Sequence, residues 1–334
     1  MMTIKDVEVK KALNAWKPDA MLTNLSIAYY EEPQFAARRL FPICPVTLPA
    51  GKFYIFRKGD LARDNMRKKP PYGTVAPAVF GLDTQSYTCE IYQEKIGMDR
   101  LIALPYERAS AFDMKRARTK TLTEQIALHQ EIEFAEKFFK AGVWNNEWQG
   151  AASTNKANKK FAKFSGANDP AEIMDYLSME IRRNGRRRPN KLALGTETYA
   201  ALRSNAAIKE RIKYTGTNSA PAVVNEQCLA AIFGVDSVVV LDSTVNRAGV
   251  GAADQMEFVC DPKGALLLYT PEAAAVDTPS AGYMFTYLIS GGDYIAVEEF
   301  EGEPGSYTTF LSGLIAYDMR ITSQDLAVYL TDCV

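Results

Sequence analysis

PYERASAFDMKRARTKTLTEQIALHQEIEFAEKFFKA, residues 105–141, reads as one long charged helix. Pro105 suits a first helical position. Leu122, Ile126, Leu128, Ile132, Ala135 and Phe139 recur at helical spacing and form an apolar stripe. At ~1.5 Å per residue an unbroken helix of this length runs roughly 50 Å, more than the width of a small domain. Something besides its own chain is expected to cover it. The charges are inverted with respect to the helix dipole, which favours acid early and base late. Arg108, Lys115, Arg116, Arg118 and Lys120 crowd the first half, whereas Glu124, Glu131, Glu133 and Glu136 crowd the second. Two explanations are open: a break near 119–123, or neutralisation of each half by neighbouring chains.

Working back towards the N-terminus, residues 51–96 read as an excursion of two strand-like arms. Residues 51–56 form the outgoing strand and 86–92 the return. The polar tip between them carries Arg57, Lys58, Arg63, Arg67, Lys68 and Lys69 against Asp60 and Asp64, and ends in Pro70-Pro71-Tyr72-Gly73. An isolated hairpin is at best marginally stable in water. Phe53 and Ile55 alternate with Tyr54 and Phe56, so the outgoing arm is apolar on both faces and calls for two partners. Residues 1–50 read as an extended arm, with a short helix at 7–16 and Pro33, Pro42, Pro45 and Pro49 interrupting the rest.

Working forward, 142–166 is a polar, Asn- and Lys-rich connector. Asp169-Pro170 then caps a helix that runs through Ile181 and stops near Asn184-Gly185. Strands are expected at 191–194, 237–241, 257–260 and 265–269, and helices at 196–204 and 225–233. This is a compact mixed domain. From Tyr283 onward, strand-like runs at 283–289, 294–298, 314–320 and 326–330, with glycine turns at 291–292 and 302–305, are expected to return to the long helix.

Composition narrows the function. The chain has 334 residues, 47% of them apolar, and a formal net charge of −1, so it has a real core and lacks the global charge of a dedicated nucleic-acid binder. Cys44, Cys89, Cys228, Cys260 and Cys333 are scattered, without a C-x-x-C pair, and read as reduced thiols. No secretory leader and no membrane span are expected.

Sites for chemistry are sparse. The single histidine, His129, sits mid-helix with no nucleophile motif beside it, and reads as a surface or interface residue. Gly249-Val250-Gly251-Ala252-Ala253-Asp254 has an aspartate where a dinucleotide loop needs glycine or alanine, and reads as a turn. The carboxylates Glu298, Glu299, Glu301 and Glu303 read as lining an exposed turn, with a hydrolytic acid pair as the sharper alternative. Arg182, Arg183, Arg186, Arg187 and Arg188 form the strongest basic cluster outside the excursion. They read either as a helix end paired with acids, including those of a neighbouring subunit, or as a contact to nucleic-acid phosphate. No cofactor, metal or enzymatic activity is expected.

The order of elements resembles the major capsid proteins of tailed bacteriophages, the Hong Kong 97-type coat fold. IYQEKIGMDRLIALPYERASAF (91–112) is similar to that family's passage from extended loop into spine helix. KLALGTETYAAL (191–202) is similar to the opening of its axial domain, and GLIAYDMRITSQDLAVYL (313–330) to its closing peripheral strands. The resemblance implies an α+β fold with an N-terminal arm (1–50), an extended hairpin loop (51–96) and a peripheral domain with the spine helix (97–190). An axial domain (191–282) and return strands completing both domains (283–334) follow.

It further implies pentamers and hexamers tiled into an icosahedral shell around double-stranded DNA, located in the virion and assembled in the host cytoplasm. A separate scaffolding protein is expected, because the arm is too short for a built-in scaffold, and portal and decoration proteins are further expected partners. Covalent crosslinking is not expected. Noncovalent clamping is, with the six basic residues of the tip lying over Glu124, Glu131, Glu133 and Glu136 of an adjacent subunit. The alternatives are an encapsulin-like compartment, a nucleic-acid-binding module using 182–188, and an unrecognised hydrolase.

Overall fold

The structure is a computed structural model that describes residues 35–56, 63–75, 77, 82–101, 114–165, 168–213, 224–249, 251–272, 278–289 and 295–334. The arm to residue 34, with its expected helix, and the first part of the expected spine helix, 102–113, lie outside the described residues. So do Arg57 and Lys58.

Two sheets enclose a shared core. The first contains β1 (Ile43–Val46), β4 (Glu90–Asp99), β12 (Gly282–Tyr287), β13 (Ile295–Glu301) and β14 (Thr308–Ile321). β14 is its axis, pairing antiparallel with β4 along one edge and with β13 and then β12 along the other. β1 joins β12 in parallel. The second sheet has the order β6 (Lys160–Ala162), β5 (Glu147–Ala151), β15 (Ala327–Thr331), β11 (Ala265–Leu268), β7 (Lys191–Gly195) and β8 (Ser237–Leu241).

Side chains alternate across a strand, and here both sides of the second sheet are covered, which explains the unbroken apolar runs ALLL and SVVVL. Leu192, Leu194, Ala265, Leu267, Val328 and Leu330 face α3 (Pro170–Gly185), α4 (Thr196–Ser204), α5 (Ala206–Ile212) and α6 (Glu226–Phe233). Ala193, Val239, Leu266, Leu268 and Tyr329 face the core shared with the first sheet. Into that core α2 (Met114–Lys137) sends Leu122, Ile126, Phe134 and Ala135, and its near approach to β14 is made at Gly313, beside Leu122.

The helix is continuous through 119–123, so of the two explanations for its inverted charges the break does not hold. Threonines compete with a helix by offering the backbone other partners. Here Thr119, Thr121 and Thr123 return their hydroxyls to the carbonyls of Lys115, Ala117 and Thr119, four residues back. The inverted charges are met partly within the chain, by Lys115 with Glu299 at 2.8 Å and by Lys137 with Glu133. The helix ends at Lys137, short of 141, because Glu147 accepts the N–H groups of Gly142, Val143 and Trp144 and folds the chain back.

Four further expectations are corrected. The connector 142–166 is structured: β5 pairs in parallel with β15, and Trp148, Phe161 and Phe164 are buried despite the surrounding Asn and Lys. The expected return strand at 86–92 divides at Cys89, its first half in β3 (Leu82–Thr88) and its second in β4. Of the closing strands, β14 serves the long helix but β15 crosses to the second sheet. Glu298, Glu299 and Glu301 lie on β13, leaving Glu303 in the turn. β9 (Thr244–Asn246) and β10 (Met256–Phe258) form an exposed ribbon, which Asn246 and Asp254 tie at its tip.

Candidate assembly interface

The hairpin loop is built from β2 (Ala50–Phe56) and β3, antiparallel from Ala50 opposite Thr88 to Phe56 opposite Leu82. Its base is seated by an aromatic cluster. Phe53 and Tyr87 pack on Phe285, with ring centroids 5.2 and 4.7 Å apart, and Ile55 joins them. This accounts for one apolar face of the outgoing arm. The side chains of Tyr54 and Phe56, on the other, lie outside the described residues.

At the junction between hairpin and body, Asp318 is buried and accepts from Thr88 N at 2.9 Å and from Arg320 Nε at 2.8 Å. Cys89 donates its backbone N–H to Pro49, closing the base of the loop. Asp318 was invisible in the sequence as an anchor, because its partner Thr88 lies 230 positions away.

The tip is solvent-facing. Arg63, Arg67, Lys68 and Lys69 are exposed, and Met66 and Tyr72 project apolar surface beside them. Such side chains are unusual on an isolated surface and mark interaction sites when grouped.

The four expected acceptors on the helix do not act together. Glu131 is only 1% exposed and accepts from Ala37 N at 2.6 Å, at the start of α1 (Ala37–Leu40). Glu133 is buried and paired with Lys137. Neither is available to a neighbour. Glu131 reads as a surface acid because the segment that meets it comes from the distant N-terminal part of the chain. Glu124, half-buried beside Lys120, and exposed Glu136 remain accessible.

Between α2 and β4 runs an open groove of about 400 Å³, lined by Tyr92, Glu94, Gln125, Leu128, His129 and Ile132 among others. His129 rests against Tyr92, centroids 4.5 Å apart, with Tyr317 behind. Glu124 and Glu136 lie four residues from Leu128 and Ile132, on the same side of the helix. The histidine therefore belongs to a surface groove. The part of the apolar stripe formed by Leu128 and Ile132 lines this groove and does not enter the core fully.

Thiol chemistry is disfavoured by position. Cys44, Cys89, Cys260 and Cys333 are buried, and burial raises their pKa values, that of Cys89 to about 12. Among the described residues no three His, Cys, Asp or Glu side chains group as a metal site, and no helix is long and apolar enough to cross a membrane. Arg182, Arg183, Arg186, Arg187 and Arg188 are all exposed at the end of α3.

A hairpin loop lifted off one end of a sheet, a long helix across that sheet, and a second mixed sheet with helices on one face together define the Hong Kong 97-type coat fold. No protein-family model matches the chain. It is 26% identical over 233 residues to the major capsid protein of Burkholderia phage BcepMu, covering 66% of this chain and 68% of that protein. Among solved structures it resembles a phage-related protein of Bordetella bronchiseptica RB50, with a TM-score of 0.72 and 20% identity over 96% of this chain and 98% of the other. It also resembles a putative prophage capsid protein of E. coli CFT073, with a TM-score of 0.51 and 11% identity over 92% and 98%. The chain is thus similar in sequence to a phage major capsid protein and shares its fold with solved phage and prophage proteins.

Proposed function

We propose that this chain is the coat subunit of a tailed bacteriophage, a structural protein whose copies assemble as pentamers and hexamers of an icosahedral shell around double-stranded DNA. The observation that carries this reading is the sequence likeness to a phage major capsid protein across two-thirds of the chain, joined to a coat fold along nearly all of it. In this reading the protein resides in the virion capsid and assembles in the host cytoplasm. Scaffolding, portal and decoration proteins would be its separate partners.

The tip and the groove supply the contact between subunits. Arg63, Arg67, Lys68 and Lys69, with Arg57 and Lys58, lie over a neighbour's Glu94, Glu124 and Glu136, while Met66 and Tyr72 meet the apolar wall of Leu128 and Ile132. Exposed ion pairs contribute only about 0 to 1 kcal/mol each. The strength of the shell then depends on apolar burial and on repetition around a closed lattice.

Sedimentation of the purified protein, alone and co-expressed with the products of neighbouring genes, tests the reading. Particles of many tens of subunits support it, and a lone monomer in every preparation contradicts it. Co-purification of a genome favours the phage coat, whereas co-purification of an enzyme favours the cargo compartment.

A further inference from the structure

The arginine-rich turn that follows α3 is displayed on a rigid mount. Gly185 abuts Leu326 so closely that a side chain there would meet it, which seats the end of the helix. Arg186 adopts the left-handed conformation, φ 58°, and returns its N–H to the Arg182 carbonyl. A few residues later, Asn190 bonds Thr270 in both directions, donating to its carbonyl at 2.8 Å and accepting its N–H at 3.0 Å. Three exposed arginines, Arg186, Arg187 and Arg188, are thus held between two fixed points, with Arg182 and Arg183 exposed on the helix just before them.

Further positive charge adjoins them. The Arg187 guanidinium lies 5.9 Å from the Tyr269 ring centre. The preceding residue, Leu268, is opposite Lys191 in the sheet, and Lys191 donates to the carbonyl of Arg39. Burial and the charge of Arg39 pull the Lys191 ammonium down to about 8, with Glu272 acting the other way. Lys191 and Arg39 thus bring two further positive groups together where β7 meets α1.

Part of this charge has no ion pair inside the chain. The helix dipole favours Arg182 and Arg183 in the last turn, but Arg186, Arg187 and Arg188 lie beyond it. Among the described residues Arg182, Arg183, Arg187 and Arg188 form no ion pair within 4.0 Å. A second copy presents scattered acids, and in the coat-protein reading Glu94, Glu124 and Glu136 are those that the hairpin tip covers. Glu131 and Glu133 are buried, Glu299 pairs with Lys115, and Glu301 pairs with Arg100 at 3.0 Å. A partner that presents closely spaced negative charge suits the patch better. Duplex DNA carries one charge per about 1.7 Å of its axis.

We infer that the Arg182–Arg188 turn, together with Lys191 and Arg39, is the surface through which the subunit contacts the phosphate backbone of duplex DNA without reading its sequence. The inference rests on the coat-protein reading and adds which face of the subunit meets the genome. Guanidinium groups suit this task because their planar fork matches phosphate oxygens.

The test is fluorescence anisotropy of a random-sequence 30-base-pair duplex titrated with the full-length subunit from 50 to 200 mM salt. Three variants are compared: R186Q/R187Q/R188Q, the charge-conserving R186K/R187K/R188K, and R67Q/K68Q/K69Q as a control of equal charge change. Circular dichroism checks that each is folded. The glutamine variant should bind at least tenfold more weakly at 100 mM salt, with a log–log salt slope shallower by about 1.8, that is about 0.9 for each of Arg187 and Arg188.

The lysine variant and the hairpin control should retain the slope. A wild-type subunit that does not bind the duplex, or a glutamine variant with an unchanged slope, overturns the inference. So does a glutamine variant that binds the duplex normally but no longer forms shells, which would assign the turn to a neighbouring subunit. Electron microscopy of the same preparations keeps the two readings apart, since shells that form without duplex affinity leave the coat function standing and remove only the DNA face.

Discussion

Glu131 accepts the backbone N–H of Ala37 across 94 positions of sequence, and so fixes α1 to the middle of the long helix from inside the core. Its other oxygen has no hydrogen-bond partner among the described residues. Burial raises its pKa from 4.5 to about 7, against the opposing pull of the Ala37 and Ala36 N–H groups and with a smaller push from Asp242. A folded-state pKa above the unfolded one means the favourable contribution is complete below about pH 4.5 and is lost as pH rises through 7.

The shift corresponds to about 3 kcal/mol between those limits at 1.36 kcal/mol per unit. Thermal melts should therefore show wild type losing stability relative to E131Q between pH 5 and 8. A constant difference between the two across that range would contradict the assignment.

Asp318 holds the hairpin at its base through Thr88 and Arg320. Hydrogen bonds to a charged group contribute about 1.5–3 kcal/mol, enough to change a local opening equilibrium tenfold or more. D318A should make the loop between β2 and β3 markedly more sensitive to limited proteolysis, while the two sheets resist digestion as before. Equal cleavage rates in variant and wild type would show that the aromatic cluster alone seats the hairpin.

Gly150 in β5 lies against the carbonyl of Asp332, where a Cβ would fall on the oxygen itself. Backbone cannot swing aside as a long side chain can. G150A should destabilise the protein by about 1–3 kcal/mol, the range for overpacking, seen as a lowered melting temperature. An unchanged melt would mean that β5 is free to shift.

Charge reversal at the tip, R67E/K68E/K69E, should leave the subunit folded, since exposed substitutions typically change stability by less than about 0.5 kcal/mol. Shell formation should fail or require high salt. Normal shells at ordinary salt would remove the proposed clamp.

The local elements legible in the sequence are those with a local cause. Thr196–Ser204 and Ser237–Leu241 occur at their expected bounds, and Asp169 caps α3 through Ala171 N as its position before Pro170 suggests. What was not legible depends on distant segments. Trp148 and Phe161 sit in a polar stretch and become strand residues because Trp148 joins β15 near the end of the chain and Phe161 joins β5 beside it. Glu131 looks like a solvent-facing acid until α1 is laid across it. Similarly, the groove beside His129 exists only where β4 meets α2, and neither sequence alone announces it.

Negative-stain electron microscopy of the purified protein, alone and co-expressed with its neighbouring genes, tests the central claim most directly. The coat-protein account predicts closed shells or regular pentameric and hexameric rings. A monodisperse monomer under every condition would contradict it.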